Sequence, residues 1–285
     1  MYLSSFRFAT KENEEDHRWA IKQTCYGSFY PFGILTKNGL RVLDFEPVTI
    51  LYGGNGCGKT TALNIIAEKL GLERGTFFNR SNFFEDYLKY CDYDTELAIP
   101  KDSRIITSDD VFDFLLNLRC INDGIDYRRE ELFGEYFEDK HAQFQMKSLD
   151  DYEEMKRRQF AKRKSTTQSK YVRARVMDNV REHSNGESAF LFFSEKIKEN
   201  ALYLLDEPEN SLSTENQLKL KDFIFDSARF YNCQFIISTH SPFLLSMKGA
   251  KIYDLDEDPV DVKKWTQLSN VRAYYDFFKE HEREF

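Results

Sequence analysis

A glycine-rich turn between an apolar strand and a helix constrains this chain more than any other feature of its sequence. Residues 53–60 match the pattern G-x-x-x-x-G-K-[ST] at every fixed position. The preceding run 48–52 is almost all apolar or β-branched, as in a strand buried on both faces. A helix is predicted over 60–70, ended by Gly71. Glycines let the backbone wrap around a phosphate, and the helix adds its positive N-terminal end. The predicted phosphate-binding residues are Gly53, Gly54, Asn55, Gly56, Cys57, Gly58, Lys59, Thr60 and Thr61.

Four residues in and beyond this loop are candidates for catalysis and metal binding. Lys59 is predicted to reach the β- and γ-phosphates of ATP, and the Thr60 hydroxyl to coordinate Mg²⁺. A second apolar run, 201–205, ends in Asp206 and Glu207, and the carboxyl end of such a strand lies beside the phosphate loop. Asp206 is predicted to hold Mg²⁺, and Glu207 to deprotonate the attacking water. A solvated acidic turn is the alternative for this pair taken alone.

Three further segments decide a family resemblance. Residues 184–188 resemble the signature of ABC-type ATPases, and residues 209–213 resemble the D-loop of RecF- and SMC-like ATPases. Residues 236–242 resemble the strand that ends in the switch histidine, His240. The resemblance is firm over 40–72 and 184–255. It is strongest to small stand-alone bacterial RecF-like ATPases, some of which belong to anti-phage defence or toxin-type systems.

The resemblance implies a fold, an assembly and a site. The fold is α/β, a P-loop NTPase head with a mostly parallel core sheet, an antiparallel N-terminal sheet and an inserted helical lobe. Two chains would bind head to tail around two ATP molecules, with His240 contacting the γ-phosphate or the attacking water. The partner's signature would meet that phosphate through Ser184, Asn185, Gly186 and Glu187. Ser184 and Glu187 also form a capping box, which would begin a helix without any ligand.

The whole chain, 1–285, is predicted to be one ATPase domain in three parts. Residues 1–72 carry the N-terminal sheet and the phosphate loop, 73–183 form a helical insertion, and 184–285 carry the remaining motifs. An antiparallel meander is predicted from strands at 3–8, 19–23, 33–36 and 40–45.

Alternatives remain open for two features of the predicted site, the metal-sensing residue and the residues that contact adenine. The family's metal-sensing glutamine is missing after residues 104–107, where Ser108 is predicted to cap a helix rather than to bind metal. Phe29, Tyr30 and Phe32 are candidates for packing on adenine, although core packing is the favoured interpretation.

Charge is concentrated in the insertion. Residues 156–181 contain ten lysines and arginines and only one acid, Asp178, which is +9 in a chain of net charge −8. Such a block suits DNA or RNA phosphates. A solvated helix face, pairing with the acidic stretches 135–139 and 150–154, and docking of a protein effector encoded nearby are the alternatives.

The remaining composition predicts a cytoplasmic protein without a membrane partner. No apolar run approaches the roughly 18 residues of a membrane span, the N-terminus lacks a secretion signal, and the five cysteines have no Cys-x-x-Cys spacing. The leading hypothesis is a Mg²⁺-dependent ATPase acting on nucleic acid or in a defence system. The alternative is a regulatory ATP-binding module that controls a separately encoded effector. A transporter's energising subunit is disfavoured by the basic insertion and the missing glutamine.

Overall fold

The structure is a computed structural model that describes residues 1–20, 25–141, 152–163, 166–177 and 185–284. The chain divides into two compact units. The first comprises Met1–Phe112 and Asn185–Phe285, and the second comprises Asp113–Ser184. Among the described residues, no helix is long and apolar enough to cross a bilayer.

A seven-stranded sheet forms the centre of the first unit. Its strands are β3 (Val48–Tyr52), β4 (Glu73–Arg74), β6 (Arg104–Thr107), β7 (Leu202–Asp206), β8 (Gln234–Ser238), β9 (Lys251–Asp254) and β10 (Asp261–Val262). Their spatial order is β10-β9-β3-β8-β7-β6-β4, and only the β9–β10 pair is antiparallel. Every residue of β3, β7 and β8 is buried, as the apolar runs predict. The mostly parallel core sheet of the predicted fold is confirmed.

A smaller antiparallel sheet is also present, as predicted, but its connectivity is not a meander. Strand β1 (Leu3–Arg7) lies between β2 (Val42–Asp44) and β5 (Asp92–Thr95). The third strand therefore comes from a segment that was assigned to the helical insertion.

Two of the predicted N-terminal strands are wrong. Residues 11–20 form helix α1 (Lys11–Ala20), so residues 19 and 20 are helical where a strand over 19–23 was predicted. Residues 21–24 lie outside the described ranges. The reason is local, because Thr10 and Asn13 cap this helix reciprocally, with Thr10 N to Asn13 Oδ1 at 3.0 Å and Asn13 N to Thr10 Oγ1 at 3.3 Å. The segment 33–36 runs into a short 3₁₀ turn, Leu35–Asn38, rather than a strand.

The structure describes further helices in the first unit. They are α2 (Lys59–Leu70), α3 (Phe84–Lys89), α7 (Asn185–Lys196), α8 (Thr214–Phe230), α9 (Pro242–Leu245) and α10 (Ser269–Glu280). Gly71 ends α2 in a left-handed conformation, with φ of 66°, as its position in the sequence predicts.

The helical part of the insertion is shorter than the predicted 73–183. Strands β4, β5 and β6 lie within residues 73–112 and belong to the first unit. Helix α4 (Ser108–His141) begins in the first unit and continues into the second, which also contains α5 (Tyr152–Lys162) and α6 (Gln168–Arg173). The second unit has its own small core of Leu132, Tyr136, Ala161, Tyr171 and Val172.

The cap of α4 differs from the predicted one by a residue. Thr107, not Ser108, is the capping residue, because Thr107 Oγ1 accepts from Asp110 N at 3.4 Å while Asp110 Oδ2 accepts from Thr107 N at 2.7 Å. Thr107 pairs with Asp206 in the β6–β7 register. The residues after 104–107, where the glutamine was expected, thus begin a helix.

Candidate active site

The glycine-rich loop joins β3 to α2 in the conformation that its sequence requires. Gly58 has φ of 104°, and a Cβ there would lie 2.8 Å from Leu35 Cδ2, so that only glycine fits. The Lys59 side chain is buried, and Nζ donates to the carbonyls of Gly53 at 2.8 Å and Gly54 at 3.2 Å. The ammonium group is therefore held inside the loop, where a phosphate would be bound.

The predicted catalytic side chains converge on this lysine. Lys59 Nζ lies 2.8 Å from His240 Nε2 and 3.9 Å from Glu207 Oε1, and the last two atoms are 3.4 Å apart. An ammonium group can only donate, so in this contact His240 Nε2 is placed to accept from Lys59. The sheet order explains the convergence, since β3, β8 and β7 are neighbours and each delivers its residue at the carboxyl end.

The two predicted metal ligands are also neighbours. Thr60 Oγ1 donates to Asp206 Oδ1 at 3.1 Å, and the Ser238 hydroxyl donates to the same oxygen. Asp206 is buried, so its carboxylate charge is poorly solvated, and this raises the pKa of the group. A hydroxyl and a desolvated carboxylate fit a hard divalent cation such as Mg²⁺, because it prefers oxygen ligands and would balance this charge.

Glu207 has an unusual backbone conformation. Its φ of 47° is in the left-handed region, which costs a residue other than glycine about 1 kcal/mol or more. The conformation is held by hydrogen bonds from Glu207 N to Ser238 O at 3.0 Å and from Asn210 Nδ2 to Glu207 Oε2 at 3.0 Å. The turn thus orients the carboxylate that is predicted to act as the general base.

Glu209 is a site residue that the sequence reasoning assigned only to the D-loop. Its Oε1 accepts from Thr239 Oγ1 at 2.6 Å, His240 N at 2.7 Å and Ser241 N at 3.1 Å. The other oxygen is buried and has no hydrogen-bond partner among the described residues. Burial raises the pKa of Glu209. This carboxylate therefore connects the D-loop to the segment that carries His240. Its burial costs free energy, because the charged form loses solvation.

Residues from the C-terminal part complete the surroundings of the site, and no sequence motif pointed to them. Both carboxylate oxygens of Asp256 accept from Gly54 N, at 2.8 and 2.7 Å. At the start of α10, Asn270 Nδ2 donates to His240 O at 3.1 Å, and Asn270 N donates to Tyr52 Oη at 3.0 Å. A cleft beside the loop is lined by Tyr52, Gly54, Asn55, His240, Asp256, Ser269, Asn270 and Ala273.

Thr61 and the three aromatic candidates for adenine binding contact one another or other aromatic residues of the core. Thr61 is buried and accepts a hydrogen bond from Tyr30 Oη at 3.2 Å, so its hydroxyl faces the aromatic core. Phe32 is buried, with its ring centroid 4.4 Å from that of His17, and Phe29 packs against Phe83 at 4.8 Å. These contacts agree with core packing of the three aromatic candidates.

The signature-like segment is described only from its second residue. Ser184 lies outside the described ranges, and Asn185 begins α7. A Cβ at Gly186 would be 2.9 Å from Asn216 Nδ2 and 3.4 Å from Ser213 N, so the glycine allows close packing against the start of α8. Glu187 is exposed.

Comparisons with known proteins agree with this geometry. A sequence model of the ABC transporter family matches residues 43–210, and a model of the AAA ATPase domain matches residues 181–245. No curated protein sequence matches the chain.

Solved structures that match the chain include SMC heads and an ABC cassette. An SMC head domain from Thermotoga maritima is 13% identical, with 93% of this chain and 99% of that chain covered and a TM-score of 0.40. An SMC head domain from Pyrococcus furiosus, bound to the C-terminal domain of ScpA, is 14% identical, with 85% and 95% covered and a TM-score of 0.41. A dimeric bacterial ABC transporter cassette is 13% identical, with 80% and 90% covered and a TM-score of 0.38.

The matched segment of the ABC transporter model contains the phosphate loop, Asp206 and Glu207, which meet in the structure. Because that segment is more than half of the 285-residue chain, the protein belongs to the ABC family of P-loop ATPases, enzymes that bind and hydrolyse ATP.

Proposed function

We propose that two copies of the chain bind head to tail around two ATP molecules, in a Mg²⁺-dependent cycle of association and release. Each site would combine Lys59, Thr60, Asp206, Glu207 and His240 of one copy with the segment 184–187 of the other. The observation that carries the proposal is the convergence of Lys59, Glu207 and His240 within 4 Å at one sheet edge. In the part of this segment that the structure describes, Gly186 packs closely against the start of α8 and Glu187 is exposed.

The residues then have separate roles in hydrolysis. Lys59 exchanges its contacts with the loop carbonyls and His240 for the β- and γ-phosphates. His240 Nε2, released from the lysine, contacts the γ-phosphate or the attacking water. Glu207 orients that water and accepts its proton. Mg²⁺, held by Thr60 and Asp206, would neutralise charge on the phosphates.

The test uses the isosteric substitution Glu207→Gln. This variant should bind ATP without hydrolysing it, so that the dimer accumulates. Light scattering with ATP and Mg²⁺ should then give about twice the 33.8 kDa mass of one chain. The control is Glu207→Gln combined with Lys59→Ala, which should stay monomeric because it lacks the phosphate-binding ammonium. A monomeric Glu207→Gln protein at micromolar concentration with saturating ATP would refute the dimer.

We propose further that nucleic acid is the partner of the second unit. The support is the charge of residues 156–181, +9 in a chain of net charge −8. Hydrolysis by the wild-type protein should accelerate with DNA or RNA. If neither DNA nor RNA changes the rate of hydrolysis and a second protein co-purifies in stoichiometric amount, the result would favour the regulatory module that controls a separate effector.

A further inference from the structure

The second unit contains a cleft whose walls carry mostly positive charge. The cleft is formed by α5 and the segment that follows α6. Its lining residues are Glu154, Lys156, Arg157, Phe160, Arg163, Ala174 and Arg175. Four of these side chains are cationic and one is anionic, which leaves a net charge of +3 on the walls. Such a concave cationic surface attracts anions more strongly than a convex one with the same charge.

One arginine of the cleft is fixed from behind by a buried acid. Asp139 is 2% exposed, and its Oδ2 lies 2.8 Å from Arg157 Nε and accepts from Tyr171 Oη at 2.5 Å. Arg157 Nη2 also donates to Asp139 Oδ1 at 3.2 Å. The guanidinium group is therefore held before any ligand arrives, which lowers the entropic cost of binding.

A second arginine is fixed by aromatic rings. The Arg175 guanidinium carbon lies 3.9 Å from the centroid of Tyr171 and 5.5 Å from that of Phe160. Its Nη1 donates to Tyr171 O at 3.2 Å. Within the described ranges no carboxylate pairs with Arg175 or with the exposed Arg163. These two cations have no protein counterion there, so an anionic ligand would supply it.

We propose that this cleft binds the phosphates of a nucleic-acid strand, an inference that rests on the proposed nucleic-acid partner. Planar guanidinium groups fit phosphate oxygens through two hydrogen bonds at once. Lys170 and Arg173 lie exposed in the adjoining helix α6, outside the cleft wall. The positive charge thus extends beyond the size of one small anion, as expected for a polymer with regularly spaced phosphates.

The experiment compares two pairs of substitutions that remove the same charge from the same segment. The cleft pair is Arg163→Ala with Arg175→Gln, and the matched control pair is Lys170→Ala with Arg173→Ala. Binding of a fluorescein-labelled single-stranded 20-nucleotide oligomer is followed by anisotropy at several salt concentrations. The cleft pair should lose about tenfold or more in affinity and lower the slope of log K against log salt by about 1 to 2. The control pair should lose affinity about threefold or less.

Four outcomes separate the possible failures. If both pairs weaken binding equally, or if neither pair weakens it, the cleft is not the binding site, although nucleic acid remains the partner. Failure of the wild-type protein to bind any strand, with an intact ATP-trapped dimer, would overturn the partner and the cleft together. Displacement of the strand by micromolar inorganic phosphate would assign the cleft to a small free phosphate instead. If the cleft pair unfolds, Arg163→Ala alone decides, because only backbone hydrogen bonds are found for Arg163 in the described part of the chain.

Discussion

At the scale of single residues, the site contains carboxylates in unlike environments. Glu207 is half-exposed and is positioned by its backbone turn and by Asn210. Glu209, two residues later, has one oxygen saturated with three hydrogen bonds and the other buried without a partner. The first carboxylate is therefore available for chemistry, and the second acts as a brace for the segment that carries His240.

The brace predicts a pH-dependent gain in stability for Glu209→Gln. Burial is the main cause of the raised pKa of Glu209, so the folded state retains the proton more strongly than the unfolded state. The stability contributed by this protonated form is therefore lost as pH rises from the ordinary glutamate value of 4.5 through the folded pKa. The unfolding free energy of Glu209→Gln relative to wild type should rise over that pH range and then level off.

Urea denaturation of both proteins from pH 4.5 to 8 measures this difference. Glu215→Gln is the matched control, because Glu215 is exposed and pairs with Lys219 at the surface, so its difference from wild type should stay nearly flat. A difference for Glu209→Gln that is constant or falls with pH would contradict the buried-charge explanation.

At the scale of elements, helix α10 is the least expected part of the site. Its first turn contacts both β3 and the His240 segment, because Asn270 bonds to Tyr52 and to the His240 carbonyl. The helix therefore supports His240 at its main-chain carbonyl, whereas Glu209 accepts from its main-chain N–H. Asn270 acts through His240 and is a positioning residue.

Removing this support should slow turnover without weakening ATP binding. Asn270→Ala is expected to lower kcat by about 3- to 10-fold, less than the roughly 100-fold that a 1 Å misplacement can cost, because Glu209 still holds the His240 main chain. The Kd for a fluorescent ATP analogue should stay within about twofold of wild type, because Lys59 and the loop are unchanged. Arg272→Ala, on the exposed side of the same helix, should change neither quantity. If Asn270→Ala raises the Kd for the ATP analogue and leaves kcat unchanged, Asn270 does not position His240.

At the scale of the whole molecule, the proposed dimer makes each site composite. One copy supplies Lys59 and Glu207, and the other supplies the segment that includes Ser184. Two inactive variants can therefore complement each other only if their defects lie on opposite halves of the site.

A mixing experiment tests this geometry. Lys59→Ala and Ser184→Arg should each be inactive alone, but an equal mixture should recover part of the wild-type activity, because a mixed dimer has one intact site built from Lys59 of one copy and Ser184 of the other. The control mixture of Lys59→Ala with Glu207→Gln should recover nothing, because both changes lie on the same half. Steady-state phosphate release measures both mixtures. Activity of the first mixture no greater than that of its components would contradict a head-to-tail site.

The sequence by itself determined the parts of this protein whose chemistry is local. The phosphate loop was predictable because its glycines, lysine and threonine are consecutive and each has a physical role within the turn. The strands that end in Asp206 and before His240 were predictable because buried parallel strands are continuous apolar runs. Parallel pairing of those strands then accounts for the meeting of Lys59, Asp206, Glu207 and His240.

Only the tertiary structure decided which distant segments complete the sheet and the site. The antiparallel sheet takes Asp92–Thr95 as its third strand, because backbone groups pair with whichever strand the fold brings alongside them. Glu209, Asp256 and Asn270 join the site through hydrogen bonds to main-chain atoms of distant segments, and such contacts leave no spacing pattern in a sequence. The basic cleft arises in the same way, because Arg157 and Arg175 lie on its walls only once the chain has folded around Tyr171.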